Sequence, residues 1–424
     1  MPDTIFALSS GAPPAGIAVV RISGPSAATV VRAVAGGPAV PRRATLRTFR
    51  DAQGATIDRG LLLWFPGPST ATGEDLAELH LHGGRAVVAR MLVVLSGFPD
   101  CRIAAPGEFT RRAFANGRLD LLEAEALGDL LSAETEQQRR TALAMADGTL
   151  GRQVDDWRRA ILRLAAQVEA SLDFGDEDDV ASDTATIAQQ AAALADAIAT
   201  ALAAPAVERV RDGIAVVLAG PPNAGKSSLL NRITGRDAAI VSPAAGTTRD
   251  VVEVPVAIDG TAFLFSDTAG LRDGGDMVER IGIDRARGRI ADADLLLWLG
   301  DDPPPPHPRT LWLFPRADIR TDPVPDGRLA VSSATGRGLP ALIAWLHEEA
   351  AGLLPAPAGH AISRRQRAEL TEAQGAMRDA ANLHDAVLQA EALRRARLAL
   401  DRLTGRSGFE ELLDSLFGQF CLGK

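Results

Sequence analysis

Gly220-Pro-Pro-Asn-Ala-Gly-Lys-Ser227 fits the GxxxxGK[ST] pattern, in which every part has a chemical job. The loop amides of Asn223, Ala224 and Gly225, with the N-terminus of a following helix, can surround a phosphate. Lys226 can reach the β and γ oxygens, and the Ser227 hydroxyl, followed by Ser228, can hold Mg²⁺. About twenty residues on, Gly246-Thr247-Thr248-Arg249-Asp250 offers loop threonines that can reach the metal, Thr248 among them, and sense a γ-phosphate. Asp267-Thr268-Ala269-Gly270 then places a carboxylate ahead of a glycine whose amide can approach the same group. Together these spacings imply GTP hydrolysis.

Base selection is the irregular part. GTPases of this kind usually carry Asn-Lys-x-Asp, whereas the present chain has Pro315-Arg316-Ala317-Asp318. Asp318 can accept both N1–H and N2–H₂ of guanine, which adenine cannot satisfy. Pro315 has no amide with which to replace the Asn, which predicts weaker guanine binding. Val331-Ser332-Ser333-Ala334 would supply the last base-facing loop.

These residues need strands to carry them. The apolar run 214–219 reads as a buried parallel strand before the phosphate loop, and 263–265, 295–298 and 311–314 as further strands. Only residues 299–310, with four consecutive prolines, join the last two, so the crossover helix expected there is absent and polyproline or another chain covers that side. Ahead of this lies a mixed α/β region, residues 1–118, with strands at 16–23 and 60–65 and helices at 26–34 and 84–95. Glu78, His80 and His82 alternate on one strand face; a polar face explains the histidines better than a metal site. Long helical patterns fill 119–209 and 356–424, so the α/β nucleotide domain, 210–355, is read as an insertion within a helical domain made of two chain segments. Asp173-Phe-Gly-Asp-Glu-Asp-Asp179 reads as a solvated turn. Ser407 and Glu410 form a capping box for a helix with the apolar stripe Phe409, Leu412, Leu413, Leu416, Phe417 and Phe420.

At 424 residues the chain should hold two or three domains. Its net charge of −9 argues against a protein that coats nucleic acid, and its two distant cysteines fit a reducing, cytoplasmic setting. No signal or membrane-spanning pattern is present. Only two of the 45 basic residues are lysine, Lys226 and Lys424. Such a composition should keep lysine where a planar guanidinium cannot stand in for a compact ammonium. Lys226 meets that description; for Lys424, chemical constraint and chance survival weigh evenly.

The whole chain resembles the MnmE (TrmE) family of tRNA modification GTPases. The likeness rests on Asp3-Thr-Ile-Phe with Arg21-Ile-Ser-Gly24, on Thr72-Gly-Glu-Asp75 to His82-Gly-Gly84, and on Pro106-Gly-Glu-Phe109 to Asn116-Gly-Arg-Leu-Asp120. The GTPase motifs and the terminal Phe420-Cys-Leu-Gly-Lys424 complete it.

The resemblance implies a folate-binding N-terminal domain that also forms a homodimer, with Arg21, Glu78, Arg118 and Lys424 at the folate. Arginine stands at 118 where the family usually has lysine. It implies a K⁺-stimulated GTPase acting with an FAD-dependent MnmG partner in a heterotetramer. Their product is an aminomethyl-type (carboxymethylaminomethyl) group on C5 of the wobble uridine of tRNA, its carbon taken from 5,10-methylene-tetrahydrofolate or a related reduced folate. Asn223, Ser242, Ala244 and Thr247 match the family's K⁺ ligands, and Glu279 its water-orienting carboxylate. Cys421 would act at the reacting carbon or merely bind there. From the phosphate loop alone, a regulatory GTPase switch acting on a ribonucleoprotein is the alternative.

Overall fold

The computed structural model describes residues 3–37, 40–173, 184–235, 239–240, 253–267, 288–355, 361–407, 410–418, 420 and 423. The chain divides into two compact units. The first comprises residues 1–128, 148–158 and 398–424, and the second 129–147 and 159–397.

The first unit is built on a six-stranded sheet. Its strands are β1 (Thr4–Leu8), β2 (Ala15–Ser23), β3 (Thr45–Arg50), β4 (Thr56–Phe65), β5 (Leu76–Gly83) and β6 (Cys101–Ile103), in the order β3-β4-β5-β2-β1-β6. All pairings are antiparallel except β1 with β6. The period-two alternation sends Phe6, Val20, Ile22, Leu62 and Leu79 to one face. There they pack with Val30, Val31 and Val34 of α1 (Ala27–Ala35) and with Met91 and Leu95 of α2 (Arg85–Ser96). On the opposite face Ile5 and Ala7 meet Phe109 of α3 (Glu108–Ala115).

A second apolar cluster holds the C-terminal helix, Glu410–Gly418, against this unit. Phe417 and Phe420 bury themselves with Ala124, and Phe114, Leu413 and Leu416 pack at its edge. The ring pairs Phe114–Phe417 and Phe417–Phe420 lie 6.2 and 6.0 Å apart, within the range of favourable aromatic contact. Other members of the expected stripe, and the capping box of Ser407 and Glu410, fall wholly or partly outside the described residues.

In the second unit the sheet order is β13-β12-β11-β7-β10-β9-β8. β7 (Ile214–Ala219) runs parallel to β10 (Thr261–Asp267) and to β11 (Leu295–Trp298), and β11 to β12 (Thr310–Phe314) and β12 to β13 (Leu329–Ala330). β9 (Glu253–Ile258) and β8 (Ala239–Ile240) add an antiparallel edge. β7 is buried on both faces, hence its unbroken apolar run.

The chain enters and leaves this sheet side by side. Val207 donates to the Ile362 carbonyl, and Ile362 to that of Pro205, at 3.1 and 3.0 Å. Beyond that junction the helices Thr184–Leu202 and Arg364–Asn382 pack on each other. Within the helical pattern of 356–424 a break falls at 383–385, where the Asp385 carboxylate caps Val387 and Leu388 and starts a second helix, Ala386–Thr404.

Between β11 and β12 no helix forms, as the four prolines require. Side chains pin the connection instead: the indole N–H of Trp298 donates to the Asp302 carbonyl, and that of Trp312 to Gly300, both at 2.7 Å. His307 reaches the carbonyls of Arg309 and Ala293. Arg328 lies 3.9 Å from the Trp312 ring centroid and also pairs with Asp301, so polar and aromatic groups do the covering.

Candidate functional site

The phosphate loop springs from the C-terminal end of β7, the middle strand of its sheet. Its backbone is demanding. Gly220 has φ +145° and lies against Leu299 and Gly300, with a Cβ there only 3.1 Å from their backbone. Asn223 (φ +58°) and Gly225 (φ +99°) are also left-handed. That turn ends on the helix Lys226–Thr234, whose first-turn amides, left without intrahelical acceptors, open toward the loop.

Lys226 is buried at 5% exposure, and its ammonium donates to the carbonyls of Gly220 and Pro221, each at 2.9 Å. The lysine thus spans the loop it belongs to. Ser227 and Ser228 stand exposed at the helix start, where a hydroxyl can meet a cation. Register places Asp267, at the tip of β10, opposite Leu218, two residues before the loop begins.

The loop that follows β12 is held by several backbone and side-chain bonds. Pro315 is buried; Arg316, at φ +57°, donates to the carbonyl of Asn223 at 2.5 Å. Ala317 bonds to the Val331 carbonyl, and Arg337 reaches back to that of Ala317. Ser332 is fully buried, its hydroxyl accepting from the Thr335 amide, while Ser333 and Ala334 sit nearer the surface. Asp318 is exposed. The arrangement ties the base loop to the phosphate loop through one arginine, a contact that sequence reasoning missed although Arg316 occupies the lysine position of the usual motif. Ser242, Ala244, Thr247, Thr248, Thr268, Ala269, Gly270, Glu279, Cys421 and Lys424 lie outside the described residues, as does the side chain of Asp267.

A second constellation lies in the first unit. Arg21 on β2 faces Glu78 on β5, and its Nε and Nη2 donate to one carboxylate oxygen at 3.2 and 2.9 Å. Burial pushes the Glu78 carboxyl up, but the Arg21 guanidinium and His80, 3.3 Å away, outweigh it and hold the group below its ordinary value. Arg21 also lies 5.7 Å from the Phe109 ring centroid. Arg118 donates to the Thr70 carbonyl, and its neighbour Asn116 to that of Thr72. The Thr72 hydroxyl bonds Ser23, two positions from Arg21.

Arg112 anchors this corner, gripping Asp3, Glu74 and Glu108 at once. Its i+4 spacing from Glu108 was the available signal. His82 pairs with Asp58 at 2.8 Å. No group of three side chains suited to a metal occurs among the described residues.

Comparison with known proteins gives these two constellations a common setting. Residues 4–118 match the family model described as "GTP-binding protein TrmE N-terminus", and residues 121–421 the "MnmE helical domain". The chain belongs to the MnmE (TrmE) family. A family member from Rhizorhabdus wittichii, named tRNA modification GTPase MnmE, is 55% identical across 100% of this chain and 97% of its own length. One of the same name from Novosphingobium aromaticivorans is 52% identical with both chains fully covered. Among solved structures, the G domain of the T. maritima FeoB iron transporter is 23% identical over 32% of this chain and 98% of its own, with a TM-score of 0.25.

Proposed function

We propose that this chain is a GTP hydrolase that modifies the wobble uridine of tRNA in the cytoplasm. It would act as a homodimer with an FAD-dependent MnmG-type partner and take its carbon from a methylene-folate. The observation that carries the reading is end-to-end kinship with tRNA modification GTPases in a chain whose GxxxxGK[ST] loop leads into a helix at Lys226. Among the described residues no helix is long and apolar enough to cross a membrane.

The residues divide the work. On binding, phosphate oxygens would replace the Gly220 and Pro221 carbonyls as acceptors for Lys226, exchanging two neutral partners for charged ones. Loop amides and the start of the helix Lys226–Thr234 would complete the cradle. Exposed Ser227, with Thr248, would hold Mg²⁺, while Asn223, Ser242, Ala244 and Thr247 would hold K⁺. Both ions offset charge developing between the β and γ phosphates. Glu279 would orient the attacking water, and Asp318 would read the guanine edge. In the other unit, Glu78 stays ionised beside Arg21 and can accept N–H donors of a folate ring, with Arg118 and Lys424 available to anionic groups.

Steady-state GTP turnover measured in K⁺ and in Na⁺ tests this assignment. Loss of a stabiliser of developing charge costs about a hundredfold, so K⁺ should be faster by roughly that factor. Equal rates in the two salts would remove the K⁺ site.

A further inference from the structure

The end of the chain is fastened to the first unit at successive points, each demanding a particular residue. Arg111 pairs with Asp414 at 2.7 Å. The Phe417 carbonyl oxygen comes so near Gly107 that a Cβ there would sit 2.2 Å from it. The Phe420 ring lies 3.3 Å from where Gly128 would carry a Cβ.

The last of these points lies at Gly423. It is buried at φ +92°, and a Cβ on it would stand 2.2 Å from the Leu8 carbonyl oxygen and 2.8 Å from the Ser9 Cα. No side chain fits that space, and the φ is one that L-residues avoid. The Ser9 hydroxyl donates to the Gly423 carbonyl at 2.8 Å, across 414 positions of sequence. Ser9 is itself fixed, because its amide donates to the Val19 carbonyl at 2.7 Å and extends the β1–β2 ladder by one residue.

Register then decides what lies nearby. Ala7 is the partner of Arg21, so Ser9 is the diagonal neighbour of Arg21 on the same side of the pleat, about 7 to 8 Å from it, with Glu78 one strand further on. We propose that Ser9 and Gly423 form a latch that fixes the chain at Gly423 against the end of β1, with Ser9 a positioning residue for the tail whose sequence carries Cys421 and Lys424. The latch rests on the reading that the tail serves the modification chemistry. It adds the device that places the tail, and it explains why position 423 is glycine.

The test uses the full-length protein carrying Ser9→Ala, Ser9→Thr or Gly423→Ala. Three quantities are followed: the iodoacetamide alkylation rate of Cys421 by peptide mass spectrometry, the modified wobble uridine in cellular tRNA, and GTP turnover. Half-buried Cys101 is the internal reference for general loosening. Losing one hydrogen bond to a fixed partner should raise Cys421 alkylation about fivefold in Ser9→Ala, with Cys101 unchanged. Gly423→Ala should raise it further, since strain and a clash are added. Modification should fall with both variants while GTP turnover stays at the wild-type rate, and Ser9→Thr, which keeps the hydroxyl, should restore both tail readouts.

Unchanged Cys421 alkylation in Ser9→Ala overturns the latch. Faster alkylation with full modification overturns the positioning role. Cys421→Ser separates this from the underlying reading: if that variant modifies tRNA fully, the tail's chemical role fails, while the alkylation data on Ser9 still decide whether the latch exists.

Discussion

Arg316 and Glu78 show how much a single side chain's surroundings add to its identity. The strand, loop and helix start around Gly220–Ser227 were legible because GxxxxGK[ST] after an apolar run demands that setting. The arginine clamp was not, since its partner is a backbone carbonyl 93 positions away, to which sequence spacing gives no clue. Arg316→Ala should weaken guanine nucleotide binding about fivefold, the effect of one exposed hydrogen bond that steadies the loop. Titration with a fluorescent GDP analogue checks this, and unchanged affinity would show that the loops are independent. Glu78 gives a pH signature. Its carboxyl is held below the ordinary glutamate value of about 4.3, so the Arg21 pair stabilises the fold fully above that value, and this is lost as pH falls through the lower folded one. Glu78→Gln should therefore lower stability by about 1 kcal/mol at neutral pH, with the gap from wild type closing below about pH 4. Thermal unfolding at both pH values measures it, and a gap independent of pH contradicts the account.

Elements were readable where one period dominated. β7 showed as an unbroken apolar run because it is covered on both faces, and the missing crossover helix showed because proline cannot donate within one. How the connection is held was not readable, since that depends on two indoles and His307 finding particular carbonyls. The break at 383–385 was missed for a related reason: Asp385 reads as an ordinary helix residue until its carboxylate turns to cap the amides of Val387 and Leu388. The docking of the C-terminal helix gives the prediction at this scale. Gly107 and Gly117 are both left-handed, at φ +67° and +63°, but only at Gly107 does a Cβ meet a neighbour, the Phe417 carbonyl. Gly117→Ala should cost the strain alone, about 1 kcal/mol, while Gly107→Ala should cost roughly 2 kcal/mol more. It should also speed proteolysis near the C-terminus, a region where equal digestion of the two variants would show that the contact does not hold the helix.

At the scale of the molecule, the two compact units carry separate constellations: a phosphate loop with its lysine in the second, and in the first an ionised Glu78 on a sheet whose β1 end bonds Gly423. Of the two lysines left in an arginine-rich composition, Lys226 lies in the phosphate loop. The sequence showed a change from mixed α/β patterning to helices around a nucleotide-binding motif, but not that the two units each take part of the helical segments. The contacts that fasten the chain's end were not visible either, because they depend on close backbone approaches that only glycine permits. The central claim is that the GTP cycle of this chain serves tRNA modification. Nucleoside analysis of tRNA from cells that lack the native chain and carry Lys226→Ala tests it most directly. The account predicts loss of the C5-substituted wobble uridine, with wild-type chain restoring it; full modification supported by Lys226→Ala, in protein shown to have lost GTP hydrolysis, would contradict it.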